Sequence, residues 1–179
     1  MTVPFSLPRS AQDLFRAFDA IGIRHDTVEH PAVFTVEESK RLRGELPGAH
    51  VKNLFVKDKK SRLFLISAVE DTQIDLKRIH ETIGGSGRVS FGSADLLREA
   101  LGVEPGSVTP LAAINDVTGR VTVVLDERLM EHDRINVHPL VNTMTTGVSK
   151  ADLLAFLEWT GHKPVIAAIQ AAPAPASPG

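Results

Sequence analysis

Apolar residues along the chain change spacing several times, and each change marks an element. Leu14, Phe15, Phe18 and Ile21 fall at helical spacing behind Ser10-Ala-Gln-Asp13, a variant of the capping box, and Gly22 ends the run. A short strand is predicted around IRHDTVEH. Thr35 and Glu38 fit a T-x-x-E capping box, which starts a helix near Val36 and ends it near Gly44. VKNLFVKDKKSRLFLISA reads as two strands joined by the polar turn KDKKS, a hairpin. DLKRIHETIGG then predicts a helix with Asp75 at its cap and Gly84 beyond its end, and GRVSFGS predicts a short strand. Ser93 opens a helix over ADLLREALG that Gly102 stops. EPGSVTP is turn chemistry. LAAIND and RVTVVLD bracket VTG and read as a second hairpin. INVHPLVNT is a strand running into a loop, and Ser149 with Asp152 caps KADLLAFLEWTG.

About seven short strands thus interleave with four or five helices. Some strands are joined by hairpins and others through helices, which predicts a mixed sheet in one α/β (mixed α+β) domain. The expected boundaries are a lead-in over 1–9, the domain over 10–168, and an Ala/Pro-rich tail over 169–179 expected to be disordered.

Composition narrows the function classes. The 179 residues are 42% hydrophobic, enough for one core that buries roughly two-thirds of the unfolded surface. Net charge is −2, from 20 basic and 22 acidic residues, so a bulk duplex-DNA binder is disfavoured while a local basic patch is not. The absence of cysteine removes disulfides, thiolate zinc sites and a cysteine nucleophile. The N-terminal residues lack a signal-peptide pattern and no apolar run approaches the ~20 residues of a membrane span, so the expectation is a soluble, cytoplasmic protein with no membrane partner.

The common catalytic motifs do not occur: there is no G-x-S-x-G elbow, Walker A loop or H-E-x-x-H helix. GGSGR follows a predicted helix and reads as a helix stop and turn. None of the seven histidines forms an i, i+4 pair, so neither a metal nor another cofactor is expected. His138 stands apart from the rest because polar groups collect in HPLVNT directly after an apolar strand. Lys52 and Asn53 stand side by side inside VKNLFV, where an unpaired ammonium or amide would be costly. Two readings remain for Lys52: a lysine snorkelling from an edge strand, or a residue lining a site. The clusters Lys40, Arg41, Arg43 and Lys57, Lys59, Lys60 read as a solvated face or as phosphate contacts.

Taken in order, HPAVFTVEES, LPGAHVKNLFVKDKK, RVSFGS, LGVEPGSVTPLAAIND, VTVVLD and INVHPLVNTMTTGVS resemble the YbaK-like aminoacyl-tRNA editing domains. The resemblance is nearest to the freestanding alanyl-tRNA(Pro) deacylase type, related to the editing insertion of bacterial prolyl-tRNA synthetases. It covers about residues 10–166. It implies a mixed, partly barrel-like sheet flanked by helices. It also implies an activity, hydrolysis of the ester of a mischarged tRNA. The family's motif lysine and asparagine match Lys52 and Asn53, its glycine-to-proline loop matches Gly106, Ser107, Val108, Thr109 and Pro110, and its histidine matches His138, with Asn142 following.

On this resemblance, Lys52 would bring positive charge to the ester carbonyl or the terminal phosphate, and Asn53 would orient the substrate. Gly106 to Pro110 would wall the pocket, and His138 would position water or bind substrate. With no carboxylate pair or nucleophile in evidence, direct attack by water is the expected chemistry. The implied partners are mischarged tRNA(Pro) and a prolyl-tRNA synthetase. Competing expectations are a deacylase for cysteinyl-tRNA(Pro) or seryl-tRNA, and a non-catalytic aminoacyl-tRNA or nucleic-acid binding module.

Overall fold

The computed structural model describes residues 7–32, 35, 37 and 46–171. Glu38 of the predicted Thr35/Glu38 capping box, most of its helix, the basic residues Lys40, Arg41 and Arg43, and most of the Ala/Pro-rich tail lie outside the described residues.

Helix α1 (Ala11–Ile21) forms where the pattern places it. The Ser10 hydroxyl accepts from Asp13 N, the Asp13 carboxylate accepts from Ser10 N, and Gly22 closes the helix with a left-handed backbone. Leu14 and Phe18 are fully buried, and Phe18 meets Phe156 edge to face at 5.4 Å, a contact worth ~0.5–1.5 kcal/mol beyond its buried area. Strand β1 (Asp26–Glu29) follows, and then the long strand β2 (Ala49–Lys57) forms a hairpin with β3 (Leu63–Val69). A short helix, α2 (Ile79–Ile83), and the two-residue strand β4 (Ser90–Phe91) precede α3 (Ala94–Leu101), which Ser93 and Gly102 cap as expected. The remaining strands and α-helix are β5 (Val121–Asp126), β6 (Arg134–Val137), β7 (Met144–Ser149), α4 (Lys150–Trp159) and β8 (Val165–Ala167).

The strands form one mixed sheet in the order β1-β7-β6-β2-β3-β5-β8, with β4 paired to β2. Strand β2 belongs to both halves of it. Its first two residues, Ala49 and His50, pair parallel with Ile135 and Asn136, and Val51 to Lys57 pair antiparallel with β3. The start of β2 is tightly specified. Gly48 adopts φ +100°, and a Cβ there would lie 2.6 Å from the Arg134 carbonyl oxygen. Arg134 also reaches over Gly147 of β7 to an ion pair with Asp26 at 2.7 Å, and a Cβ at Gly147 would lie 2.4 Å from its Nη2.

Two apolar clusters lie on opposite faces of the sheet. The larger joins Phe55, Leu65, Val123 and Ile135 to α1, α3 and α4. The smaller joins Val56, Phe64, Ile66 and Val124 to Ile79 and Ile83 of α2 and to Ile169, so the packed chain continues past β8.

Three local expectations are corrected. LAAIND is not a strand. Pro110–Asn115 is a 3-10 helix, because Pro110 presets its first turn and the Thr109 hydroxyl accepts from Leu111 N. The second hairpin therefore does not exist, and β5 instead pairs parallel with β3 and β8. Asp75 does not cap α2, whose first residue is Ile79; Asp75 shapes the preceding turn by accepting from Lys77 N. Strands β7 and β8 are additional to the predicted set and bring the total among the described residues to eight.

Candidate active site

The strand alternation of β2 sends neighbouring side chains to opposite faces. Val51, Asn53 and Phe55 share one face; Lys52, Leu54 and Val56 share the other. Lys52 and Asn53 therefore part company.

Asn53 joins His50, Val51, Asn136, Val137, His138 and Thr145 in lining a small, open cleft. The cleft sits where β2 passes from its pairing with β6 to its pairing with β3. Its walls are Val51 and Val137, and its remaining lining is polar. No carboxylate lines it among the described residues.

His138 stands at the end of β6. Its Nδ1 lies 3.1 Å from the Met144 carbonyl oxygen, and a carbonyl can only accept, so Nδ1 carries the proton. In the neutral ring Nε2 is then an acceptor. Burial holds the His138 pKa below the ordinary histidine value. The Met144 hydrogen bond works against that shift, and neighbouring His30, 6.5 Å away between ring centres, adds to it. The ring is therefore neutral at pH 7, with a basic nitrogen available. His30 is itself fixed: Nδ1 donates to the Pro31 carbonyl, and Nε2 meets the Thr145 hydroxyl at 2.8 Å.

Asn53 sits opposite Ser67, whose hydroxyl donates to its Oδ1 at 2.6 Å. Asn136 is 4% exposed, and its amide nitrogen donates to the carbonyls of Pro47 (2.8 Å) and Ala49 (3.2 Å). His50 Nε2 donates to the Leu46 carbonyl at 3.1 Å. Asn136 and His50 together fasten the approach to β2.

The structure places the other predicted residues elsewhere. Lys52 donates to the Thr72 carbonyl on the opposite face. There the Thr72 hydroxyl donates to buried Asp126 at 2.7 Å, and Arg128 contacts both Thr72 and Asp71. Gly106 is exposed with φ +90°, Ser107, Thr109 and Pro110 are buried, and Val108 packs on the larger core; none of the five lines the cleft. Asn142 is half-buried in the loop after His138 and is not a lining residue. Lys57, Lys59 and Lys60 are exposed at the β2–β3 turn, beyond the far end of the strand from the cleft.

Sequence reasoning missed His50, Asn136 and Thr145. Asn136 carried a usable signal, an amide inside the apolar run of β6, the same signal that singled out Asn53.

The aminoacyl-tRNA editing domain model matches residues 30–156, which hold every residue lining this cleft. The chain belongs to the aminoacyl-tRNA editing domain family. It is 43% identical over 151 residues to the prolyl-tRNA synthetase associated domain-containing protein 1 of Bos taurus, covering 82% of this chain and 88% of that one. It is 36% identical over 152 residues to the prolyl-tRNA editing protein ProX of Acetoanaerobium sticklandii, covering 84% and 92%. Among solved structures, hypothetical protein APE2540 superposes with a TM-score of 0.66 over 86% of this chain and 97% of that one, at 19% identity, a likeness of fold. The editing-domain chain is an aminoacyl-tRNA deacylase, and the mixed eight-stranded sheet is the fold of its family.

Among the described residues, no group of three or more potential ligands could hold a metal, and no helix is long and apolar enough to cross a membrane.

Proposed function

We propose that the chain removes alanine from mischarged tRNA(Pro) in trans, by direct attack of water on the aminoacyl ester. The observation that carries this reading is His138, whose Nδ1 proton is committed to the Met144 carbonyl and whose Nε2 is left as an acceptor beside Asn53. An aminoacyl ester is already activated, so the protein needs to orient a water, take up its proton and favour charge on the carbonyl oxygen. His138 Nε2 holds and deprotonates the water. The Asn53 amide orients the ester carbonyl. Val51 and Val137 offer an apolar wall to a methyl side chain.

Alanine is the fitting target on physical grounds. A proline-activating site cannot strongly reject a smaller side chain, because a missing methylene is worth only ~1–3 kcal/mol, and a second pocket that excludes proline by size corrects the error. Lys52 faces away from the cleft and donates to the Thr72 carbonyl, so its charge is assigned to the terminal phosphate outside the cleft and not to the ester carbonyl. Gly106 to Pro110 and Asn142 lie outside the cleft lining and are assigned no contact with the ester, while Lys57, Lys59 and Lys60 are assigned contacts with the tRNA backbone. A prolyl-tRNA synthetase is the proposed partner that supplies the error.

The test is hydrolysis of purified alanyl-, prolyl- and cysteinyl-tRNA(Pro), with Lys52→Ala and His138→Ala as controls. Loss of alanine alone, abolished in His138→Ala and weakened in Lys52→Ala, is the expected result. Preferential loss of cysteine would move the substrate. Full activity of Lys52→Ala would remove Lys52 from the site.

A further inference from the structure

Asn136 is the most completely constrained polar side chain of the cleft. Both its neighbours, the Pro47 and Ala49 carbonyls, can only accept, so its orientation is unambiguous: the NH2 points at them and both its hydrogens are used. Its Oδ1 accepts no hydrogen bond among the described residues, although the side chain is almost wholly buried and lines the cleft. The oxygen itself is not sealed from solvent, so it opens into the cleft while the rest of the side chain is held. The cleft therefore holds a fixed, preoriented acceptor that the protein itself does not satisfy.

Three lining groups present complementary chemistry. Asn53 has amide hydrogens beyond its bond with Ser67, and His138 Nε2 is an acceptor suited to water. Asn136 Oδ1 is an acceptor that neither a water-activating base nor a carbonyl-orienting donor requires. An ester of an amino acid carries one strong donor next to its carbonyl, the α-ammonium group. We infer that Asn136 Oδ1 receives that ammonium and makes the site selective for esters with a free α-amine over N-acylated or deaminated ones. This rests on the deacylase reading above and adds a recognition element to it. The ammonium lies one carbon from the scissile carbonyl, so fixing it also fixes the carbonyl against Asn53 and His138.

Two measurements test the inference. In the first, the wild-type protein is titrated with two non-hydrolysable amides, 3′-(alanylamino)-3′-deoxyadenosine and its propionyl counterpart, which replaces the ammonium with hydrogen. A hydrogen bond to a charged group predicts about 10- to 100-fold tighter binding of the alanyl compound. Equal affinity overturns the inference without any variant having to fold.

In the second, alanyl-tRNA(Pro) and propionyl-tRNA(Pro) are compared as substrates of wild type and Asn136→Ala, so that the intrinsic reactivity of each ester cancels between the proteins. The expected result is a loss in kcat/KM on the alanyl ester that exceeds the loss on the propionyl ester by at least about 10-fold. Equal losses on both would assign Asn136 to holding Pro47 and Ala49 alone. Hydrolysis of neither ester by wild type, with binding discrimination intact, would overturn the deacylase reading while leaving the ammonium subsite standing.

Discussion

The two ends of β2 carry polar clusters of opposite character. At its C-terminal end, the buried Asp58 carboxylate accepts from Lys60 N, Arg62 N, Arg62 Nε and Ser86 N, all at 2.8–2.9 Å. Burial works to raise its pKa, but hydrogen bonds from Ser86, Arg62 and Lys60 outweigh that and hold it at about 2. At the N-terminal end, Asn53, Asn136 and His138 line open space with hydrogen-bonding capacity left over. The same strand thus has a saturated end and an unsaturated one. A polar cluster that exists for the fold is internally complete, and one that exists for a ligand is short of partners.

The sharpest break of this comparison is His138→Ala. It is expected to lower kcat/KM on the aminoacyl ester by about 10²–10⁴-fold, the usual range for a general base, while leaving the thermal midpoint almost unmoved. A large drop in stability with intact activity would reverse the assignment of the two ends. Next comes Asp58→Ala, which strands three backbone donors and a guanidinium. Chemical denaturation should register a loss of about 3 kcal/mol, with per-molecule activity retained below the transition.

Acid titration sharpens the contrast further. The Asp58 pKa is depressed in the fold, so its stabilisation is complete above the unfolded value of 3.8 and is lost as pH falls from about 4 towards about 2. His138 is also depressed. The unfolded ring takes its proton first as pH drops past 6.5, so stability declines below that pH, and the acid limb of kcat/KM should fall below pH 6.5. An acid limb above 6.5 would exclude His138 as the base. The smallest effect concerns the lysines at the saturated end. Replacing Lys57, Lys59 and Lys60 by alanine should make the salt dependence of tRNA binding shallower by about 0.7–0.9 in log–log slope for each phosphate no longer neutralised. An unchanged slope would return these residues to a solvated surface role.

What could be read from the sequence was local chemistry. Ser10, Ser93 and Ser149 cap helices, and Gly22, Gly84 and Gly102 end them, because caps depend on residues a few positions apart. LAAIND misled because a short, fully buried apolar run has no period to separate strand from helix. Strand β7 was hidden by buried threonines that look polar in sequence but find partners across the sheet, Thr146 on Thr27 and Thr145 on His30. For the site, Asn53 and His138 were legible as polar groups in or beside apolar strands. That Lys52 would face away follows from strand alternation, but its partner, a carbonyl in the loop after β3, depends on tertiary structure.

The double membership of β2 also bears on how the protein forms. The β2–β3 and β6–β7 hairpins close between chain neighbours, whereas the pairing of Ala49 and His50 with β6, which builds the cleft, joins segments far apart in the chain. Contacts of long sequence separation are slow to form because loop closure precedes any gain from them. We expect the hairpins to gain protection from hydrogen exchange before the β2–β6 seam during refolding. A nascent chain that has not yet emitted β6 would then have no cleft, and would be unable to attack any aminoacyl ester.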